Sequence, residues 1–407
     1  MAGLKYWVWL NECRGLTNRS RALLLDHFGS PEDVYYADEA EYALVEGLSK
    51  KQIELLADKS TDGADKILGD CQRLGLRILT MQDADYPARL RGIFEPPCLL
   101  YVKGTLPAFD EEVAVAMVGT RSCTPYGTSS AEKIAYGLAK QGALVVSGAA
   151  RGIDSAAHRG ALRAGGVTVA VLGNGLDVVY PEENAGLYRD IAATGALLSE
   201  YPPGTAAEGW HFPIRNRIIS GLCVATVIVE AGSARSGALI TARHALDQSR
   251  DVYAVPGAMG APQSRECNAL IERCEAALLN DPRALVREYA SLLPGGAAAF
   301  HAYTRPPVAR TVPKQRTAPE RRTPAKPAPV PETAAPAPEK PAFAMPEGLD
   351  ENEQKIVRLV AEGMHSLEEL VECCGLPAPR LMCMVTTLEM EGVLERDAAN
   401  VRLAGQE

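Results

Sequence analysis

The sequence predicts an α/β protein with a doubly wound, mostly parallel sheet, preceded by a helical module and followed by a winged-helix-like domain. Three observations carry this expectation. Between residues 85 and 292, short Val-rich apolar runs alternate with amphipathic helical patterns. Strands buried on both faces read as continuous apolar runs, and strands alternating with helices build parallel sheets. Residues 1–75 carry helical periodicity, and 347–407 read as three helices followed by a short hairpin. A Pro/Ala-rich stretch, 293–346, parts that last segment from the rest. With 407 residues, 47% of them hydrophobic, the chain is long enough for two or three domains with a sizeable core.

Taken in order, Gly15-Leu16 precedes RALLLDHFG and Gly47-Leu48-Ser49 precedes KKQIELLAD. Each is a Gly-containing turn leading into an amphipathic helix. The pattern resembles a helix-hairpin-helix or SAM-like module, which either packs as a plain helical domain or grips a DNA backbone with helix N-termini. The strand candidates of the central region are VAVAMV (113–118), ALVVS (143–147), VTVAVL (167–172), ALLSE (196–200), VATVIVE (224–230) and DVYAVP (251–256). The region 293–346 reads as an extended, semi-rigid linker. From His301 to Pro341 it holds eight Lys/Arg against three Glu, a net of +5. In 347–407, ENEQKIVRLV, SLEELVECC and PRLMCMVTTLEMEG are the three helices, and Asp397-Ala398-Ala399-Asn400 is the expected wing turn. This segment carries thirteen Asp/Glu against five Lys/Arg, a net of −8. Met382, Cys383, Met384 and Met390 fall on core positions of the third helix or form an adaptable apolar surface.

Bulk composition narrows the function classes. A net charge of −9 argues against a wholly basic nucleic-acid coat, so any DNA site is a local patch. The ten Cys show neither CxxC nor zinc-type spacing, which points to a reducing compartment and no metal. The N-terminal sequence lacks the h-region and cleavage site of a signal peptide. No apolar run reaches about 18 residues, so a cytoplasmic protein is expected.

In a parallel sheet, ligands sit beyond the carboxyl ends of the strands. Three polar, Gly-containing loops fall there: Gly119-Thr120-Arg121-Ser122, Ser147 to Asp154, and Glu230 to Gly237. Glycines let a backbone approach an anion, and N–H groups at the following helix starts bind it. Arg121 and Arg151 add guanidinium forks suited to phosphate oxygens. Asp154 is placed to N-cap the helix that holds His158. A fourth element, His211-Phe212-Pro213-Ile214-Arg215-Asn216-Arg217, stands just before an expected helix at IISGL. Phe212 there either stacks an unpaired base or docks the helix on the sheet. No GxxxxGK[ST] appears, nor a GxGxxG with an acidic ribose clamp, which disfavours a P-loop ATPase and a dinucleotide cofactor. His158 and His244 lie inside helical patterns, and no GxSxG elbow or metal-spaced set accompanies them or His211. Glu230, ending a buried strand, is the one carboxylate well placed for a functional role.

In order and spacing, these segments resemble the DprA/Smf family of DNA-processing proteins. The resemblance is carried by YPARLRGIFEPPCLLYVKG (86–104), VAMVGTRSCTPYG (115–127), SGAARGIDSAAHRGAL (147–162) and VLGNGLDVVYPEEN (171–184). It continues in LLSEYPPG (197–204), FPIRNRIISGL (212–222), EAGSARSGALITARHAL (230–246) and DVYAVPGA (251–258). It implies an extended Rossmann-like fold, single-stranded DNA binding without catalysis, a homodimer, and loading of a RecA-type recombinase during natural transformation. It implies no cofactor. By the same resemblance, Gly119, Thr120 and Arg121 form a DNA loop, and Ser147, Gly148, Arg151 and Gly152 line the adjoining pocket. Phe212 is the base-stacking aromatic, Asn216 and Arg217 belong to an RNR element, and Ser236 and Gly237 open a helix beside them. The chain departs from the family pattern at Glu266-Cys267-Asn268 and Cys274-Glu275, in the end of the domain that the family uses to dimerise, and its wing lacks a Gly. The competing reading is a nucleotide-binding enzyme of the phosphoribohydrolase type, whose PGGxGTxxE arrangement Glu230-Ala231-Gly232-Ser233 does not reproduce. A small-molecule nucleotide carrier is a third.

Overall fold

In a computed structural model of the chain, the described residues are 2–13 and 15–291, the helix Glu351–Ala361, the strands Leu394–Asp397 and Asn400–Leu403, and single positions between 370 and 393. The chain divides into two compact units, residues 1–313 and 314–407. The expected linker, 293–346, lies outside the described residues.

The first unit opens with six helices: α1 (Ala2–Glu12), α2 (Asn18–Phe28), α3 (Pro31–Tyr36), α4 (Glu39–Tyr42), α5 (Lys50–Leu56) and α6 (Asp62–Leu74). Local chemistry sets their starts. The Thr17 and Ser30 hydroxyls accept from N–H groups of the first turns of α2 and α3. Asp38 with Glu41 and Ser49 with Gln52 form full capping boxes. Gly15 and Gly47 stand in the turns ahead of α2 and α5, as expected.

The sheet comprises β1 (Arg77–Thr80), β2 (Leu99–Gly104), β3 (Ala114–Val118), β4 (Leu144–Ser147), β5 (Thr168–Leu172), β6 (Ala196–Ser199), β7 (Ala225–Ile228), β8 (Asp251–Ala254) and β9 (Ala277–Leu278). The helices between them are α7 (Ala88–Arg91), α8 (Pro125–Lys140), α9 (Ile153–Arg163), α10 (Ala185–Thr194), α11 (His211–Gly221), α12 (Gly237–Asp247) and α13 (Arg265–Glu272), and α14 (Pro282–Ala290) follows β9. Strand order is β1-β2-β6-β5-β4-β3-β7-β8-β9. β2 pairs antiparallel with β1 and β6, and the other pairs are parallel. The six expected strands are present. β1, β2 and β9 extend them, and β1 begins at Arg77, ahead of the expected start of the sheet region.

Alternation along the strands divides the core. Ala114, Ala116, Val118, Leu144, Val146 and Ile228 pack with α11 and α12 on one face. Val115, Met117, Val145 and Val227 pack with α8, α9 and α14 on the other. The α8–α9 contact is close: a Cβ on Gly160 would lie 2.4 Å from Glu132 O. The helical module shares its core with β2, β5, β6 and α10, through Trp7, Leu24, Leu99, Tyr101, Leu172 and Ile191. From β3 the chain winds through β4 and β5 to β6, then crosses to β7 on the far side of β3. The switch point therefore lies between β3 and β7, where a doubly wound sheet opens a crevice.

One expected boundary is wrong. α11 begins at His211, so Phe212, Arg215, Asn216 and Arg217 lie within it. Pro213 does not delay the start, because N–H groups of a first turn have no intrahelical partner to lose.

In the second unit, α15 (Glu351–Ala361) and the antiparallel pair β10 (Leu394–Asp397) and β11 (Asn400–Leu403) surround a core of Ile356, Val357, Val360, Leu370, Leu381, Val385, Leu388 and Leu394. Leu381, Val385 and Leu388 recur at helical spacing, and Met384 packs against this core. The expected wing residues Ala398 and Ala399, and Met382, Cys383 and Met390, lie outside the described residues.

Candidate nucleic-acid interface

Three loops meet beyond the carboxyl ends of β3, β4 and β7. The Thr120 N–H donates to Glu230 O at 2.8 Å, and the Ile153 N–H donates to Thr120 O at 3.3 Å. This tie requires a glycine at 152: its φ is +75°, and a Cβ would lie 2.4 Å from Thr120 O. The buried Glu230 carboxylate accepts from Thr124 N at 2.9 Å and Thr124 Oγ1 at 2.5 Å. Glu230 thus fastens the start of α8, and the functional role expected of it is a structural one.

The crevice holds two adjoining hollows. The larger, about 420 Å³, is lined by Gly119, Thr120 and Arg121 from the first loop, by Phe212 and Asn216 from α11, and by Ser236 and Gly237. The smaller, about 170 Å³, is lined by Gly148 and Arg151 together with Asn174 and Tyr180. Arg121, Ala150 and Phe212 border both. The Arg121 guanidinium lies 5.1 Å from the Phe212 ring centroid, and the Tyr180 ring centroid lies 5.6 Å away. Ser236 caps α12, its hydroxyl accepting from Ala238 N. Asn216 Nδ2 donates to Gly237 O at 3.3 Å, joining α11 to the start of α12.

Beneath the rim lie two buried charged side chains, Arg215 and Asp154. Arg215 donates through Nη1 to Gly148 O at 3.0 Å and to Val171 O. A Cβ on Gly148 would collide with this guanidinium, at 2.6 Å from Nη1. Asp154 is not a helix cap. It turns back to accept from Gly148 N at 3.1 Å and Ala150 N at 3.4 Å. Burial raises its carboxyl pKa, against the pull of Arg215 and those two N–H groups. Burial lowers the Arg215 pKa, against Asp154. His158 is buried below them, its Nδ1 2.7 Å from Thr168 Oγ1. Burial, then Arg215, pushes its pKa down to about 3.

Three expected site residues do not face the cleft. Ser147 is buried and donates through Oγ to Met117 O at 2.6 Å. Gly152 serves the loop contact already described. Arg217 is 5% exposed and grips Glu200 with Nη2, 2.7 and 2.9 Å from its two carboxylate oxygens. Its Nε donates to Glu95 O at 2.8 Å and its Nη1 to Ile214 O at 3.0 Å. Burial opposes its charge, but Glu200 outweighs burial and holds the pKa above its usual value. Arg151 reaches the rim while paired with the exposed Glu183 at 2.9 Å.

Sequence reasoning did not single out Arg235, Thr241, Tyr180 or Asn174, which also line the hollows. Arg235 had a signal, standing in the third Gly-rich loop. Tyr180 and Asn174 come from the loop after β5, which the sequence did not mark as part of the cleft. Among the described residues no cluster of His, Cys, Asp and Glu is suited to a metal ion, and no helix is long and apolar enough to cross a membrane. The departures near α13 have local roles: Asn268 exchanges two hydrogen bonds with the Gly257 backbone, at 3.0 and 3.1 Å, and Cys267 is buried in the core.

Residues 77–290 match the family described as DNA recombination-mediator protein A, and residues 324–400 match the DprA winged helix domain. Protein Smf of Synechocystis sp. is 37% identical over 284 residues, 69% of this chain and 71% of that protein. The DNA processing protein DprA of Streptococcus pneumoniae is 45% identical over 190 residues, 47% of this chain and 66% of its own length. The X-ray structure of the Streptococcus pneumoniae protein superposes with a TM-score of 0.62 at 34% identity, covering 70% of this chain and 97% of that one. The sheet and the C-terminal winged helix are therefore those of a family member: the chain belongs to the DNA recombination-mediator protein A family, the DprA/Smf proteins.

Proposed function

We propose that the crevice binds single-stranded DNA without transforming it, and that the protein acts in recombination by passing the strand to a RecA-type recombinase during DNA uptake. The observation that carries this reading is the Arg121–Phe212 platform on the ridge between the two hollows. An aromatic face stacks an unpaired base whatever its sequence, and an exposed guanidinium neutralises phosphate. When Arg121 moves from the ring to a phosphate, it bares a face for the base. Arg235, also exposed, offers a second cation across the crevice. The polar groups under the rim favour binding over catalysis: Asp154 is engaged by backbone N–H groups and Arg215 by carbonyls, so neither is poised to move a proton. A homodimer and a cytoplasmic setting belong to the same reading. The latter accords with the free thiols among the described residues.

The test is a mobility shift of labelled oligo(dT) by the full chain, with nucleotide turnover followed in the same tubes. Binding at micromolar or lower protein without turnover is expected. Release of a free base from a nucleotide with no affinity for oligo(dT) would favour the phosphoribohydrolase reading instead.

A further inference from the structure

Outside the crevice, one surface of the first unit repeats its chemistry. A groove of about 620 Å³ runs between α2 and the segment after α7. Phe94 lines it and is 76% exposed. The guanidinium of Arg19, from α2, lies 5.6 Å from the Phe94 ring centroid. Arg91 also lines the groove, and Asp26 is its one acid, so the charged lining is net positive. Leu23, Met81, Ile93 and Pro96 supply apolar walls. An aromatic ring beside an exposed guanidinium is also the pairing found at the half-buried Phe212 and Arg121.

The two places are joined by α11. Phe212 sits in its first turn. Arg217, five residues and roughly 7.5 Å of helix rise further on, donates to Glu95 O, next to Phe94. Gly221 lets Ile93 dock on the same helix: a Cβ there would lie 3.0 Å from Ile93 Cγ2. Trp210, Ile214 and Arg217 follow one another at helical spacing along one stripe. Trp210 is 59% exposed and Ile214 39%. Two exposed apolar side chains, Trp210 and Ile214, therefore lie on the face of α11 whose next residue at that spacing, Arg217, reaches Glu95 beside Phe94. The helical module is tied to the same place, since Asn11 Nδ2 donates to the backbone carbonyl of Glu200, the acid that holds Arg217.

We infer that the Phe94–Arg19 groove is a second subsite for the same unpaired strand, which leaves the crevice past the first turn of α11, stacks a base on Phe94 and sets a phosphate on Arg19. This rests on the single-strand reading of the crevice. It gives the helical module a role in binding through its Arg19 side chain, and it makes affinity depend on strand length. Stacking and phosphate contacts of this kind tolerate any base.

The experiment measures binding of oligo(dT) of roughly 5 and roughly 15 nucleotides, lengths that bracket a short and an extended single-strand site. The full chain is compared with Phe94→Ala, Phe94→Trp and Arg19→Ala. Phe94 is mostly exposed, so the substitutions leave the melting temperature near that of the parent chain. The long oligonucleotide is expected to bind the parent protein more tightly than the short one. Phe94→Ala weakens the long oligonucleotide about fivefold or more and leaves the short one unchanged. Phe94→Trp keeps most of the length increment, and Arg19→Ala loses part of it and lowers the salt dependence of long-strand binding. An increment that survives Phe94→Ala overturns the second subsite alone, and would leave the groove to an apolar protein partner. Absence of binding at either length overturns the crevice reading along with it.

Discussion

Arg121 and Arg217 carry the same charge and both stand in segments that resemble the DprA/Smf pattern, yet the molecule uses them in opposite ways. Arg121 stands exposed on the loop after β3, its guanidinium over Phe212. Arg217, in the middle of α11, is enclosed and fully engaged by Glu200, Glu95 and Ile214. The first is a free cation at a strand end. The second is a bolt that fixes the helix carrying Phe212 and Asn216. An arginine expected at a DNA site can thus act on binding either by touching phosphate or by holding the element that does. The two roles separate experimentally, because one moves affinity and its salt dependence while the other moves stability.

The largest effect is expected at the bolt. Arg217→Ala leaves Glu200 buried without its partner, and breaking a buried pair costs about 3–5 kcal/mol. Urea denaturation should show that loss. The double change Arg217→Met with Glu200→Leu should recover most of it, since a buried pair replaced by apolar side chains of similar volume is often neutral or better. If Arg217→Ala unfolds like the parent chain but binds single strands poorly, the residue contacts DNA and the contrast with Arg121 is wrong.

Phe212 comes next. Phe212→Ala should weaken oligo(dT) binding by about 1–3 kcal/mol, and Phe212→Trp should retain much of the affinity, because stacking needs a face and not a particular ring. Equal binding by Phe212→Ala would make the ring a packing element beside Tyr180 and Gly173.

How far this contrast was legible in the sequence depends on distance along the chain. The six central strands were plain, because Val-rich runs buried on both faces need no partner to be recognised. β1 and β2 were not. RILT is a four-residue edge strand, and LLYVKG follows two prolines and pairs antiparallel, outside the alternating pattern that marked the others. The start of α11 is hidden because Pro213, a residue that commonly precedes a helix interior, lies within the first turn. The crevice was legible as loops at strand ends. Which polar residues face it was not, because that is decided by partners the motif does not show: Glu230 is claimed by Thr124, Ser147 by Met117, Asp154 by the loop ahead of the helix it was expected to cap, and Arg217 by Glu200. Residue type and spacing give the candidates, and burial sorts them.

A smaller effect is expected at Arg121. It takes no part in the described ion pairs, so Arg121→Ala should leave stability unchanged. Losing one phosphate contact should reduce the slope of log affinity against log salt by roughly 0.7. A titration of oligo(dT) binding from low to physiological salt reads both quantities. An unchanged slope with an intact fold would move Arg121 into the same class as Arg217.

The smallest effect is expected from the second unit, and it extends the contrast from single residues to a whole domain. Winged helices commonly bind duplex DNA by laying the third helix in the major groove, with phosphate neutralisation supplying much of the affinity. Here that helix offers Arg380 as its one cation and also carries Glu389 and Glu391, all three outside the described residues. Over 347–407 the net charge is −8, a field that repels a phosphate backbone, although screening over about 8–10 Å limits its reach. Leu381, Val385 and Leu388 are committed to the core, so this helix spends its apolar stripe on folding. The domain is therefore expected to contact protein, or the basic stretch 293–346 of its own chain, and not to read duplex DNA. A 1–292 chain should bind oligo(dT) almost as the full protein does, and a 345–407 fragment should leave duplex DNA unshifted at low salt. Submicromolar duplex binding by the fragment, lost in Arg380→Ala, would show that one exposed arginine outweighs the surrounding acids and would overturn the expectation.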